Sequence, residues 1–193
     1  MPVPGIAAIS FIPLLAQFLV DPASRSMQAV RQIFDSTPRG SISCSIQSLP
    51  PRLGFSLVHW SGFNLNIPVN RDSPAFNYGI AIEITPKGAA PVYLAERLSF
   101  QPPPDGARLP RGATAEYTGG FYAGPGEYRV RLRIGDERNL QCGKAWRIKV
   151  KPARIADRIE PNQILAVGDE RWRGLATDGP PRHFTIVLEA GPL

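Results

Sequence analysis

Six basic side chains alternate with apolar ones in two neighbouring stretches of the chain, residues 128–134 and 146–151. Arginine can form paired hydrogen bonds with carboxylate, sulfate or phosphate groups, and lysine adds a compact positive charge. In a β-strand, a period of two sends alternate side chains to opposite faces. The pattern therefore predicts two strands with one apolar face towards a core and one basic face that could bind anions. The basic residues are Arg129, Arg131, Arg133, Arg147, Lys149 and Lys151.

The charge of the whole chain agrees with an anionic partner. Its formal net charge is +6 and its isoelectric point is about 9.7, values that favour attraction to anionic polymers or surfaces. We expect an anionic glycan, a lipid surface or an acidic protein. Nucleic acid is not expected, because the aromatic residues of these strands, Tyr128 and Trp146, fall on the apolar face and cannot stack on bases.

The basic rows also have structural interpretations that involve no partner. Solvated charges keep strand edges from pairing with other chains, and basic side chains can pair with acids on the next strand. Like charges on adjacent strands repel one another, so these rows require counter-charges or a staggered register. The sequence leaves these alternatives open.

Two carboxylates are the main candidates for catalysis. Glu83 and Glu96 lie in neighbouring predicted strands, and a facing pair could act as the acid and base of a periplasmic hydrolase. Glu83, however, alternates with Ile82 and Ile84, which places it on the exposed face of its strand. A carboxylate-dependent hydrolase is therefore the alternative function, and the sequence assigns no catalytic residue.

The histidines, cysteines and glycines indicate no cofactor. His59 lies within a predicted strand and His183 opens another, and two histidines with two distant cysteines do not supply the spacing of a metal site. The segments Gly119-Gly120 and Gly124-Pro125-Gly126 lack the Gly-Lys-Ser/Thr ending of a phosphate loop. They are interpreted as turns and bulges, and neither a metal nor a cofactor is predicted.

The elements that must position these residues are short strands. Proline (21) and glycine (18) are spread along the chain and punctuate several alternating runs, which favours an all-β fold over an α/β fold. A helix is predicted near the start, where Met27, Val30, Ile33 and Phe34 have helical spacing, and Ile155 and Ile159 could mark one or two further helical turns. A proline-rich loop at 101–112 could dock another protein, a further alternative function. The predicted organisation is a targeting segment at 1–26, a short helix and linker at 27–40, a β-sandwich at 41–151, and a C-terminal extension at 152–193 with possible strands at 163–167 and 184–188.

The compartment is predicted from the N-terminal run and from the cysteines. Residues 6–20 are apolar apart from Ser10 and Gln17, a length that suits a signal peptide and is short for a membrane span. No basic residue precedes the run and no clear cleavage site follows it, so an uncleaved anchor or a buried helix are alternatives. We expect a secreted or periplasmic protein without a membrane span after processing. In that compartment Cys44 and Cys142 would form a disulfide, whereas elsewhere they would remain two buried thiols.

The order Cys44, Trp60, Cys142 resembles the immunoglobulin-like sandwich, in which a core tryptophan packs against a disulfide between the sheets. The stretch at 119–150 also resembles a segment of uncharacterised exported bacterial β-sandwich proteins. These resemblances imply an antiparallel immunoglobulin-like sandwich in an exported protein, and they imply no activity. Leu140 stands where the immunoglobulin pattern would place its corner tyrosine. The leading expectation is a non-catalytic exported binding or structural module.

Overall fold

The computed structural model describes residues 18–54, 57–69, 76–100, 112–136, 138–152 and 159–167. These residues form two β-sheets and one helix, so the all-β prediction is confirmed. The helix is α1 (Arg25–Asp35). The strands are β1 (Phe18–Leu19), β2 (Gly40–Ser41), β3 (Ser45–Leu53), β4 (His59–Pro68), β5 (Phe76–Pro86), β6 (Val92–Phe100), β7 (Thr114–Ala123), β8 (Gly126–Gly135), β9 (Leu140–Val150) and β10 (Ile164–Ala166).

The two sheets have six and four strands. The larger sheet has the order β1-β6-β5-β8-β9-β2, and the smaller has the order β10-β7-β4-β3. The strand pairs are antiparallel except for β2 with β9, which is parallel. The predicted basic strands are β8 and β9, and they pair as a hairpin near the middle of the larger sheet.

One hydrophobic core fills the space between the sheets. Val130, Leu132 and Ile134 of β8 are at most 1% exposed, and they belong to the same core cluster as Phe63 and Phe121 of the smaller sheet. Burying each aliphatic side chain of this size contributes about 1.5–3 kcal/mol. The apolar face predicted for the hairpin is therefore its core face, and the basic residues lie on the outer face of the sheet.

Helix α1 covers part of that outer face. Its N-cap is Ser24, whose Oγ accepts a hydrogen bond from the Met27 backbone N–H at 3.3 Å. Met27, Val30 and Phe34 form a second apolar cluster against Ala81 of β5. The predicted helical spacing is confirmed, and the helix places an apolar layer on the same side of the sheet as the basic residues.

The chain segment before the helix also belongs to this layer. Phe18 and Leu19 pair with Ala95 and Leu94 of β6, and Val20 is 4% exposed within the second apolar cluster. Residues 18–26 therefore form part of the folded body, and the division expected at residue 26 falls inside α1. Residues 1–17 lie outside the described ranges.

The C-terminal extension contributes one strand to the smaller sheet. β10 pairs with β7 from Ile164 opposite Ala123 to Ala166 opposite Phe121, close to the strand expected at 163–167. The strand expected at 184–188 and His183 lie outside the described residues, as does the loop at 101–112 apart from Gly112.

The disulfide joins the sheets, but Trp60 does not pack against it. Cys44 directly precedes β3, Cys142 lies in β9, and the two are bonded with their Cα atoms 6.3 Å apart. Trp60 is three residues before the buried Phe63 in β4, which places the two side chains on opposite faces of the strand, and it pairs with Arg52 at the end of β3 away from Cys44. Its side chain therefore lies on the outer face of the smaller sheet. The expectation that Trp60 is the core tryptophan was wrong. The face of Trp60 depends on strand register, which the spacing of Cys44, Trp60 and Cys142 does not contain.

Candidate functional site: the outer face of the β8–β9 hairpin

The hairpin register separates most of the like charges. Arg129 lies opposite Arg147, the one direct pair of cations in the hairpin register. Arg131 lies opposite Ala145 and Arg133 opposite Gly143, small residues that leave room for the long side chains. Lys149 lies opposite Glu127, and Lys151 follows β9 as an exposed residue. The crowding expected of six cations is thereby reduced.

Arg131 contacts the helix layer. Its Nη1 lies 3.4 Å from Glu83 Oε1, and its guanidinium carbon lies 4.8 Å from the centre of the Phe34 ring. Its side chain is 32% exposed. A cation over an aromatic face is a favourable contact, and the buried Glu83 carboxylate would be left uncompensated without Arg131. Arg131 therefore takes part in the packing of α1 on the sheet.

Glu83 is buried, in contrast to the exposed position predicted from its alternation. It is 7% exposed, and its Oε2 accepts a hydrogen bond from the Tyr93 hydroxyl at 3.2 Å. Arg129 Nη2 lies 3.8 Å from Glu83 Oε1. Burial, followed by the charge of Glu83, raises the pKa of the Tyr93 phenol. The alternation gave the correct outer face, but it could not show that a helix, a tyrosine and two arginines cover that face.

Arg133 belongs to a hydrogen-bond network close to the β8–β9 turn. Its Nη1 donates to Gln141 Oε1 at 2.9 Å. The Gln141 amide, which is 5% exposed, donates to Ser36 Oγ at 3.1 Å and to Asn139 Oδ1 at 2.8 Å. Because Ser36 follows α1, this network connects the end of the helix to the β8–β9 turn. Arg133 takes part in it through its hydrogen bond to Gln141.

The exposed cations lie towards the end of the hairpin that is away from the β8–β9 turn. The carboxylate of Glu127 bridges two of them. Glu127 Oε1 lies 2.7 Å from Lys149 Nζ, and its Oε2 lies 3.1 Å from Lys87 Nζ in the β5–β6 turn. Hydrogen bonds from Lys149 and Lys87 lower the pKa of Glu127 from 4.5 to about 2. Arg147 and Lys151 are exposed, and within the described ranges they form no ion pair.

The site thus divides the predicted cations into two groups. Arg131 and Arg133 are half-buried and hold the helix layer. The other group, named the cation patch from here on, consists of Arg129, Arg147, Lys149, Lys151 and Lys87, all exposed. Sequence reasoning missed Lys87 and Glu127. Glu127 has the same strand parity as Arg129, a signal that was available, whereas Lys87 is brought in by the β5–β8 pairing, in which its N–H donates to the Glu127 carbonyl at 2.8 Å.

The two carboxylates considered for catalysis do not meet. Glu83 is on the outer face of the larger sheet. Glu96 pairs with the inward-facing Ile80 and is 5% exposed on the core side. Its carboxylate accepts a hydrogen bond from the Tyr117 hydroxyl, and burial followed by the charge of Glu96 raises the pKa of Tyr117. The sheet separates the two acids, so this pair cannot form the facing carboxylates of a hydrolase.

The remaining candidates have structural settings. His59 is half-buried in β4 opposite Ala123. Gly124 permits a close backbone approach, since a Cβ there would lie 1.9 Å from the Glu160 carbonyl oxygen. Among the residues the structure describes, no group of three or more histidine, cysteine and acidic side chains comes together to hold a metal. Within the same residues, no helix has the length and apolar character needed to cross a membrane.

No family model matches this chain, and no curated protein matches it in sequence.

Proposed function

We propose that this protein is a non-catalytic, exported binding module that contacts an anionic glycan through the cation patch. The observation that carries the proposal is the direct opposition of Arg129 and Arg147, two exposed arginines on adjacent strands. Such an arrangement is unfavourable in the free protein because the charges repel. Among the described residues Arg129 has a counter-charge in Glu83, 3.8 Å from its Nη2, whereas Arg147 has none. An anion placed between them relieves that repulsion and can receive two charge-assisted hydrogen bonds from each guanidinium.

The spacing of the patch suits a chain-like ligand. Alternate residues of a strand repeat at about 6.6 Å, and opposite residues of two strands lie about 5 Å apart. Arg147, Lys149 and Lys151 therefore follow one line along β9 and beyond it, with Arg129 and Lys87 beside that line. A sulfated or uronic-acid glycan presents anions repeatedly along its length, which favours it over a single small anion.

Export is supported by the cysteine pair and by the apolar N-terminal run. A disulfide between Cys44 and Cys142 is typical of an oxidising compartment. A mature chain that began at residue 27 would lack Val20 and the N-cap Ser24, both of which support the helix layer. We therefore expect residues 18–26 to remain in the exported protein, and N-terminal sequencing of that protein tests the expectation.

The immunoglobulin-like topology is part of the same proposal. Apart from the short strands β1, β2 and β10, the strands β3-β4-β7 face the strands β6-β5-β8-β9. This division of the seven longer strands into three and four supports an immunoglobulin-like arrangement. The outer position of Trp60 and the disulfide from β9 to the start of β3 depart from the antibody pattern. A fold of this kind supplies a rigid scaffold, and the function depends on the surface that it carries.

Heparin chromatography in a salt gradient tests the cation patch. The variant Arg147→Ala/Lys151→Ala removes two exposed cations that have no ion pair among the described residues. We expect it to elute at clearly lower salt than the wild type, because ionic contacts to the glycan are lost and the remaining ones are screened by salt.

The matched control is Arg52→Ala/Arg97→Ala, which lowers the net charge equally from two exposed positions outside the patch. If net charge alone governed retention, both double variants would shift to the same extent, and the proposal would fail. Anionic lipid vesicles and an acidic protein serve as competitors. If either displaces the wild type from heparin more effectively than free heparin does, the ligand class proposed here is wrong.

A further inference from the structure

The outer face of the smaller sheet carries an aromatic side chain in an unusual setting. Gly62 of β4 and Gly120 of β7 lie directly opposite each other. A Cβ on Gly62 would lie 2.7 Å from Trp60 Cη2, and a Cβ on Gly120 would lie 2.4 Å from Trp60 Cε2. The indole therefore rests on the backbone of two adjacent strands, and only glycine at both positions permits it to lie flat there.

The indole is continued sideways by three other side chains. Tyr122 lies opposite Trp60 on β7, Leu165 of β10 lies opposite Tyr122, and Leu49 of β3 lies opposite Gly62. All four side chains are partly exposed. With neighbouring strands about 4.8 Å apart, the row from β3 to β10 is roughly 14 Å long. We call this row, made of Leu49, Trp60, Tyr122 and Leu165, the aromatic row.

Uncharged polar groups border the aromatic row. On the side towards the end of β4, the outward residues are Asn64, with Gln47 and Thr118 opposite it on the flanking strands. Thr118 Oγ1 donates to Asn64 Oδ1 at 2.9 Å, which leaves the two amide hydrogens of Asn64 available as donors. The next row in this direction contains Glu116, and Arg52 lies opposite Trp60 on the edge strand β3, so one cation adjoins the aromatic row at the sheet edge.

We propose that this face binds a neutral polysaccharide, with a pyranose ring stacked on Trp60. A pyranose has an apolar C–H face and a rim of hydroxyl groups. The exposed face of the indole matches the first, and the amides of Asn64 and Gln47 with the Thr118 hydroxyl match the second. On β3, β4 and β7, the rows that contain Gly62 and Asn64 lie between Arg52 and Glu116 and have no charged side chain. This favours a neutral sugar over an acidic one.

The size of the face agrees with a sugar chain better than with a folded protein. A stable protein interface covers about 800 Å² on each partner, whereas the aromatic row is one side chain wide and roughly 14 Å long. This site lies on the sheet opposite the cation patch, and the inference does not depend on anion binding.

Affinity electrophoresis tests the proposal with gels that contain soluble β-glucan, xylan or mannan. We expect at least one of these neutral polymers to retard the wild-type protein. We expect Trp60→Ala to weaken that retardation by at least about tenfold in dissociation constant, and Asn64→Ala/Gln47→Ala to weaken it several-fold, as lost hydrogen bonds do. Asn77→Ala, an exposed asparagine on the other sheet, is the matched control and should bind as the wild type does.

Several results would overturn the inference. It fails if none of the three polymers retards the wild type, or if Asn64→Ala/Gln47→Ala and a folded Trp60→Ala bind with unchanged affinity. It also fails if retardation is lost only with Arg147→Ala/Lys151→Ala, since binding then belongs to the cation patch. Self-association that Trp60→Ala abolishes in sedimentation would assign the face to a second copy of the chain. If Trp60→Ala does not fold, as near-ultraviolet circular dichroism would show, the Asn64→Ala/Gln47→Ala variant decides.

Discussion

The guanidinium carbon of Arg131 lies 4.8 Å from the centre of the Phe34 ring, and this contact joins the basic strand β8 to the helix α1. The same guanidinium lies 3.4 Å from the buried Glu83 carboxylate. A contact between a cation and an aromatic ring is worth about 0.5–2 kcal/mol, depending on how far water is excluded. The middle of the basic face is therefore an internal contact, and the surface free for a partner lies towards the Arg129 end of the hairpin.

Replacing Glu83 should loosen the helix layer. Glu83→Gln keeps the shape of the side chain but removes the charge that faces Arg131. Because Arg131 is only partly exposed, we expect the free energy of unfolding to fall by about 1–3 kcal/mol, measured by urea denaturation. Glu116→Gln, an exposed site on the smaller sheet, should change it by less than about 0.5 kcal/mol. Equal stability of the two variants would show that the Glu83–Arg131 pair does not support the layer.

Replacing Glu127 should strengthen anion binding. Its carboxylate neutralises Lys87 and Lys149 within the cation patch, so Glu127→Gln should elute from heparin at higher salt than the wild type. Glu116→Gln makes the same charge change away from the patch and gives the shift expected from net charge alone. A Glu127→Gln shift no larger than that of Glu116→Gln would contradict the proposed location of the site.

The pKa of Glu127 also predicts how the patch responds to pH. The pKa is lowered from 4.5 to about 2, so the carboxylate stays ionised in mild acid. Its contribution to stability is present above the unfolded pKa of 4.5 and is lost as the pH falls towards 2. Heparin retention of the wild type should therefore show no gain from Glu127 protonation between about pH 7 and pH 4. The difference in retention between the wild type and Glu127→Gln should stay constant across that interval, and a difference that disappears by pH 4 would show that Glu127 is protonated there.

Opening the disulfide should destabilise the fold. The bond between Cys44 and Cys142 spans 98 residues of sequence, and cross-links of this kind typically contribute about 2–4 kcal/mol. Urea denaturation with and without reductant should show a loss of this size for the wild type. The Cys44→Ser/Cys142→Ser variant should be less stable and insensitive to reductant. Two reactive thiols in the denatured, unreduced protein would contradict the bond.

A methyl group at Gly120 should displace the indole of Trp60. The new Cβ would lie 2.4 Å from Trp60 Cε2, so the ring must move, and we expect Gly120→Ala to lower the free energy of unfolding by about 1–3 kcal/mol. Gly79→Ala is the matched control, because a Cβ there meets its nearest atom at 3.9 Å. Urea denaturation compares the two, and a Gly120→Ala protein as stable as Gly79→Ala would mean that the ring does not lie on the glycine pair.

Strand alternation alone predicted much of the fold. The apolar residues of β8 and β9 face the core as the period of two required, because a half-buried strand can bury only one of its faces. The helix at 25–35 was visible in the spacing of Met27, Val30 and Phe34. Both patterns are local, so they can be read without knowing which elements become neighbours.

The exposure and the contacts of each charged residue could not be predicted from its own segment. Arg129, Arg131 and Arg133 are equivalent in the alternation, yet in the structure one is exposed, one lies under Phe34 and one binds Gln141. Glu83 and Glu96 could be placed on strands, but their faces relative to each other depend on the register between β5 and β6. Register and helix placement arise from packing between distant segments, which periodicity does not encode.

The sequence by itself determined the class of the fold, the apolar and basic faces of the hairpin, and the cysteine pair available for cross-linking. Only the tertiary structure decided which cations remain exposed, since α1 covers part of the outer face and leaves the end near Arg129 uncovered. It also decided that Trp60 lies outside, on Gly62 and Gly120, where strand pairing brings two glycines together. In both cases the surroundings of a side chain are set by segments that are distant in the sequence, through helix packing and strand pairing, and not by its own segment.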